Sequence, residues 1–124
     1  MILEGKVVVI TGGTRGIGLA MVKKLFAAKA KVVLIGSASS ISENFFTDND
    51  FDPELVSHTI CDLRAPDSIK QALNQIYTDQ GAIDAVVHNA AVINLASSLD
   101  VSPEQFSLML DVNARSAWEI VRHS

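Results

Sequence analysis

Thr11-Gly12-Gly13-Thr14-Arg15-Gly16-Ile17-Gly18 joins the β-branched run Lys6-Val7-Val8-Val9-Ile10 to a segment, Gly16 to Ala28, in which Ile17, Met21, Val22, Leu25 and Phe26 recur at helical spacing. An apolar run without alternation suits a strand covered on both faces, as in a parallel sheet. Gly12 permits the tight turn out of that strand, Gly16 lets backbone approach a phosphate with no Cβ in the way, and Gly18 allows the helix to pack closely on the sheet. The free N–H groups and positive end of the helix then form an anion site. A structural turn that merely uses glycine is the bland reading. The position between a buried strand and an amphipathic helix favours dinucleotide binding. A phosphate-loop ATPase is excluded, because Leu19-Ala20 follows Gly18 where Lys-Ser/Thr is required.

Working outward, Lys31-Val32-Val33-Leu34-Ile35 is a second strand, stopped by Gly36. Ser37 to Glu54 is rich in Ser, Asn and Asp and reads as loop with at most a short helix. Val56 to Cys61 is a weaker third strand. Pro66 stands where a first helical residue is expected, Ile69, Ala72, Leu73, Ile76 and Tyr77 make a buried stripe, and Gly81 is the stop. Ile83 to His88 is a fourth strand. Ser102-Pro103-Glu104-Gln105 opens a last helix with capping-box chemistry, running to the C-terminus. Strand, helix, strand, loop, strand, helix, strand, helix is an α/β pattern. With right-handed crossovers it predicts a single domain over 1–124, the incomplete first half of a doubly wound, Rossmann-type parallel sheet of strand order 3-2-1-4.

The remaining composition narrows the function. The chain has 124 residues, one-domain size, and a net charge of −4 with no Lys/Arg run, which argues against nucleic acid or an anionic membrane as partner. Its mean hydropathy of +0.29 is that of a globular chain. The lone Cys61 excludes a disulfide framework and a multi-cysteine zinc site. No apolar run approaches the ~20 residues of a membrane span, and Met1-Ile2-Leu3-Glu4-Gly5 leads straight into a strand without a signal peptide. A cytoplasmic protein is expected. His58, His88 and His123 lack metal-ligand spacing and read as structural or surface residues. Asp48, Asp50 and Asp52 mimic a calcium loop, but Pro53 and Thr59 replace its glycine and glutamate, so no metal is expected. Cys61 reads as a small buried residue, and Trp118 as packing or interface.

The turn's spacing is Gly-x-x-x-Gly-x-Gly, and with it the chain resembles the short-chain dehydrogenase/reductase family. Asp62-Leu63 resembles the family's adenine-contacting pair, and His88-Asn89-Ala90-Ala91 its Asn-Asn-Ala-Gly motif with His88 for Asn and Ala91 for Gly. Asn113 matches the helix asparagine of its Asn-Ser-Tyr-Lys tetrad. The resemblance implies an oxidoreductase of a carbonyl/alcohol pair using a nicotinamide dinucleotide. It implies coenzyme contacts from Gly12, Thr14, Arg15, Gly16, Ile17 and Gly18, from Ser37, from Asp62 and Leu63, and from Asn89, Ala90 and Ala91. An NAD enzyme usually ends its second strand with a carboxylate for the ribose 2′-OH. Here Gly36-Ser37 repels no 2′-phosphate, and Arg15 offers a charge that is otherwise a solvated loop cation, so NADP(H) is expected over NAD(H).

Asn113 falls seven residues after Phe106, within a stripe of Phe106, Leu110, Ala117, Ile120 and Val121, so a buried, hydrogen-bonded amide is expected. It ties the helix to the fourth strand, or, as the resemblance implies, anchors water to a catalytic lysine, or does both. The family's acid is a tyrosine with a lysine four residues on. The sole tyrosine here is Tyr77, and Gly81 stands four residues later. The chain thus reads as a coenzyme-binding half truncated before its Ser/Tyr/Lys segment, inactive alone. A non-enzymatic NADP(H)-binding or interaction module is the alternative. An open fourth strand and an uncovered last helix lead us to expect self-association or a homo-oligomer.

Overall fold

The computed structural model describes residues 2–124, and the expected sheet is there. β1 (Val7–Thr11), β2 (Lys31–Gly36), β3 (Val56–Ile60) and β4 (Ala85–His88) form one parallel sheet in the order β3-β2-β1-β4. α1 (Gly16–Ala27) links β1 to β2, and α3 (Pro66–Gln80) links β3 to β4. Between β2 and β3 lie only a 3-10 turn, Ala38–Ser40, and a single helical turn, α2 (Phe45–Asp48). After β4 come α4 (Pro103–Leu110), a widened π turn (Asp111–Arg115) and α5 (Ser116–His123). Strand limits move by a residue or two from the reading above, as Thr11 pairs with Ile35 and His88, while Ile83 and Asp84 precede β4.

The central strands have no polar side because both faces are covered. Val7, Val9, Val33 and Ile35 point toward α3 and α5, meeting Ile69, Leu73, Ile76 and Ile120. Val8, Ile10, Val32 and Leu34 point the other way, meeting Val22 of α1 and the aromatic pair Phe45 and Phe51. Phe51 also stands edge-on to Phe26 at 5.3 Å. The short α2 thus replaces a full crossover helix by using aromatic area, each such ring burying a large surface.

The helix ends follow their local chemistry. Pro103 is the first residue of α4, and Ser102 and Gln105 cap each other reciprocally. Gly81 ends α3 in the left-handed conformation, φ +81°. Two expected stripes are corrected. Ile17 is 76% exposed, because it lines the cleft at the strand ends rather than the packed face of α1. Phe106, Leu110, Asn113 and Val121 are exposed too, and the buried residues of that stretch are Val112, Ser116, Glu119 and Ile120. The seven-residue spacing keeps one face only in an unbroken α-helix, and the π turn at Asp111–Arg115 shifts the phase. Tyr77 lies at the rim of its stripe, 38% exposed. Among the described residues no helix is long and apolar enough to cross a membrane.

A Cβ on Gly18 would stand 1.8 Å from the Gly12 carbonyl oxygen, so the chain must move to admit one. Gly18→Ala should therefore cost about 3 kcal/mol of unfolding free energy, the upper part of the overpacking range. Urea denaturation followed by circular dichroism measures it.

Candidate functional site

The C-terminal ends of the strands open into a cleft of about 1000 Å³. Four connections wall it: the glycine turn after β1, Ser37–Ser40 after β2, Cys61–Arg64 after β3 and Asn89–Val92 after β4. In an open α/β sheet this is where ligands bind, at the point where strand order reverses. Gly12, Thr14, Arg15, Gly16, Ile17, Ser37, Asp62, Leu63, Asn89, Ala90 and Ala91 all come together on its walls. Gly18 lies beneath them, packed under the Gly12 carbonyl. A smaller hollow of about 540 Å³ between residues 96–102 and α4 holds none of them.

α1 begins on this wall without a side-chain cap, and its first turn carries no acidic residue. Arg15, extended at φ −157°, is its N-cap. The first intrahelical bond runs from Leu19 N–H to the Arg15 carbonyl at 3.1 Å, so the N–H groups just before Leu19 lack intrahelical acceptors.

Sequence reasoning missed how Thr11 organises the opposite wall. Its hydroxyl oxygen accepts from the N–H of Asn89 at 3.0 Å and of Ala90 at 2.9 Å, and lies 3.1 Å from His88 Nδ1. With both acceptor positions taken, the Thr11 proton points to Nδ1, which leaves the ring hydrogen on Nε2. Nε2 faces Ser116 Oγ at 3.4 Å, and Ser116 donates to the Val112 carbonyl. Burial lowers the His88 pKa below its ordinary value, with the Val112 carbonyl pulling the other way. His88 is thus a neutral strut between β1 and the π turn, in keeping with a structural histidine. The Asn89 amide donates to the Gly12 carbonyl at 3.0 Å and locks the glycine turn to β4.

Asn113 is exposed rather than buried, but both its amide nitrogen and its oxygen are paired. Its amide donates to the Val92 carbonyl at 2.7 Å and its Oδ1 accepts from Val92 N–H at 2.8 Å. It ties the π turn to the segment just past β4. Asp62 is held by Arg64, whose Nε and backbone N–H reach Oδ1 at 3.0 and 2.9 Å and whose NH2 reaches Oδ2 at 3.0 Å. The Arg64 side-chain bonds hold the Asp62 carboxyl below its usual range. The signal was an Asp with a basic residue two positions on. Cys61 is buried, and burial raises its thiol pKa, which leaves it inert. Trp118 is 57% exposed under the Arg122 guanidinium, 5.1 Å away. Among the described residues no cluster of His, Cys, Asp or Glu could hold a metal ion.

Residues 6–124 match the family model described as short chain dehydrogenase. The chain belongs to the short-chain dehydrogenase family. It is 32% identical over 120 residues to a 3alpha-hydroxysteroid dehydrogenase of Mediterraneibacter gnavus, covering 95% of this chain and 48% of that protein. A short-chain dehydrogenase/reductase of Serratia marcescens superposes with TM-score 0.82 at 31% identity, over 98% of this chain and 51% of the other. A blue fluorescent protein from a metagenomic library, solved in complex with NADPH, superposes with TM-score 0.86 at 27% identity, over 99% of this chain and 51% of the other. This short-chain dehydrogenase chain therefore spans about half the length of the relatives it matches. The family binds nicotinamide coenzymes and acts as oxidoreductases.

Burial lowers the pKa of His88 and also of His58. The unfolded chain therefore takes up protons that the folded rings resist, so their contribution to stability is complete above about pH 6.5 and is lost as the pH falls through the folded pKa values. The urea midpoint should be lower at pH 5.5 than at pH 7.5. His88→Asn should shrink that difference.

Proposed function

We propose that residues 1–124 are the coenzyme-binding half of an NADP(H)-dependent short-chain dehydrogenase/reductase that interconverts a carbonyl and an alcohol. The uncapped start of α1, set on the wall of the cleft beneath a glycine turn that no side chain blocks, carries the reading. In it, the N–H groups around Gly16, Ile17 and Gly18 hold the pyrophosphate. Ser37 and Arg15 take the ribose 2′-phosphate, since β2 ends in Gly36 and no carboxylate stands there. Asp62 and Leu63 border the adenine, and Thr14, Asn89, Ala90 and Ala91 line the way to the nicotinamide. The dinucleotide supplies hydride chemistry when bound. This chain's residues bind it, orient it and keep the β4 wall rigid through Thr11, Asn89 and Asn113. The tyrosine–lysine acid is not among the 124 residues, since Tyr77 is followed four positions on by Gly81. A relative solved with NADPH supports the choice of coenzyme.

Fluorescence titration of the purified chain should show NADPH binding more tightly than NADH. Arg15→Ala should weaken NADPH about tenfold, the worth of a hydrogen bond to a charged group, and leave NADH nearly unchanged. No binding of either coenzyme by a chain shown to be folded would overturn the proposal.

We also propose that the chain self-associates, through the exposed apolar residues Phe106 and Leu110 of α4 and Trp118 and Val121 of α5, which are 49–72% exposed. Sedimentation velocity should show species larger than the monomer, and Val121→Glu should shift them toward it. A wild-type chain that stays monomeric throughout would contradict this.

A further inference from the structure

His58 lies mid-strand in β3, in register with Leu34, and its Nε2 is buried without a hydrogen-bond partner. An unsatisfied buried polar atom carries a cost that native proteins rarely leave unanswered. Its surroundings show what is missing. A Cβ built on Gly36 would meet Ser40 Oγ at 2.9 Å and His58 Nε2 at 3.9 Å, so the hydroxyl and the ring flank the same small gap beside the end of β2. Ser40 is exposed, and its hydroxyl proton goes to the Ser37 carbonyl at 2.6 Å, beside the backbone bond that closes the 3-10 turn, which leaves the Ser40 oxygen with acceptor positions. All of these residues line the cleft, and Asp62, already paired with Arg64, is the one acidic side chain among its lining.

We infer that His58 is a positioning residue for Ser40 and, through it, a determinant of selectivity for a ribose 2′-phosphate. The inference rests on the reading above that this phosphate sits beside Ser37. When a phosphate oxygen arrives, the Ser40 O–H turns from the Ser37 carbonyl to that oxygen, and the Ser40 oxygen then accepts from His58 Nε2–H. The exchange satisfies the stranded ring nitrogen, while the Ser37 carbonyl keeps the bond from the Ser40 N–H at 3.1 Å. Burial keeps His58 below its ordinary pKa, hence neutral near pH 7, with one ring N–H to give. A 2′-hydroxyl can accept the same Ser40 proton, but the bond to an anionic oxygen is roughly twice as strong, and that difference is the selectivity.

The test titrates NADPH and NADH against the full chain as wild type, His58→Leu, Ser40→Ala and the double variant. The ratio of the two dissociation constants should shift about tenfold against NADPH in each single variant. The double variant should lose no more than Ser40→Ala does alone, because the two act as one unit. A packing defect at His58 weakens both coenzymes together and leaves the ratio unmoved, and Ser40→Ala, on the surface, tests the relay even where the core variant fails to fold. A wild-type preference for NADPH that both single variants retain would overturn the role of His58 and Ser40 alone. A wild type that binds NADH as tightly as NADPH would overturn the phosphate reading itself.

Discussion

The Gly12 carbonyl rests where the side chain of residue 18 would otherwise be, and a Cβ there would also lie 2.7 Å from the Asn89 amide nitrogen. That contact sets the distance between the end of β1 and the start of α1. Gly12 in turn holds φ +67°, and a Cβ on it would stand 2.9 Å from the backbone of Ala90. The turn after β1, the start of α1 and the backbone past β4 thus converge on one point that accepts only glycines and one amide. The free N–H groups of α1 and the backbone past β4 are placed relative to each other by this packing rather than by any loop's own preference.

The two ends of the cleft are built differently. Around β1 and β4 the polar groups form a linked set: Thr11 accepts two N–H bonds, His88 spans to Ser116, Asn89 holds Gly12 and Asn113 holds Val92 in both directions. Around β2 and β3 the wall consists of exposed serines, a surface Asp–Arg pair and a stranded ring nitrogen. A satisfied network is stiff, whereas short-range serine contacts at the surface rearrange with little loss. The rigid end is therefore suited to orienting a reacting ring, and the adjustable end to adapting to the distal part of a ligand.

How much of this was legible depended on whether the signal was local. The strand order followed from runs such as Val7-Val8-Val9-Ile10, which must be buried on both sides, and from the fixed handedness of the crossovers. The glycine turn was legible because each glycine answers a backbone requirement. The face of the last helix was not, since Phe106 and Asn113 share a side only if each turn between them has ordinary pitch, and the π turn removes that assumption. Ile17 was misplaced for a related reason: a helical wheel counts it with Met21 and Leu25 but does not know that the start of α1 borders an open cleft. The partners of Thr11 lie 77 to 79 positions away from it, and the gap beside His58 depends on the absent side chain of Gly36, so no local window of sequence contains them.

The widened turn at Asp111–Arg115 has an evolutionary corollary. Each residue of an α-helix advances the chain by about 100° around its axis, so α4, which buries nothing, and α5, which buries Ser116, Glu119 and Ile120, are out of step by a single extra peptide unit. Erasing that unit would regularise the helix while rotating Ser116 away from His88 and Ile120 out of the core. Indels here are consequently far less neutral than in the Ser37–Glu54 connection, and sister lineages should vary in length at the latter while keeping the former at constant count.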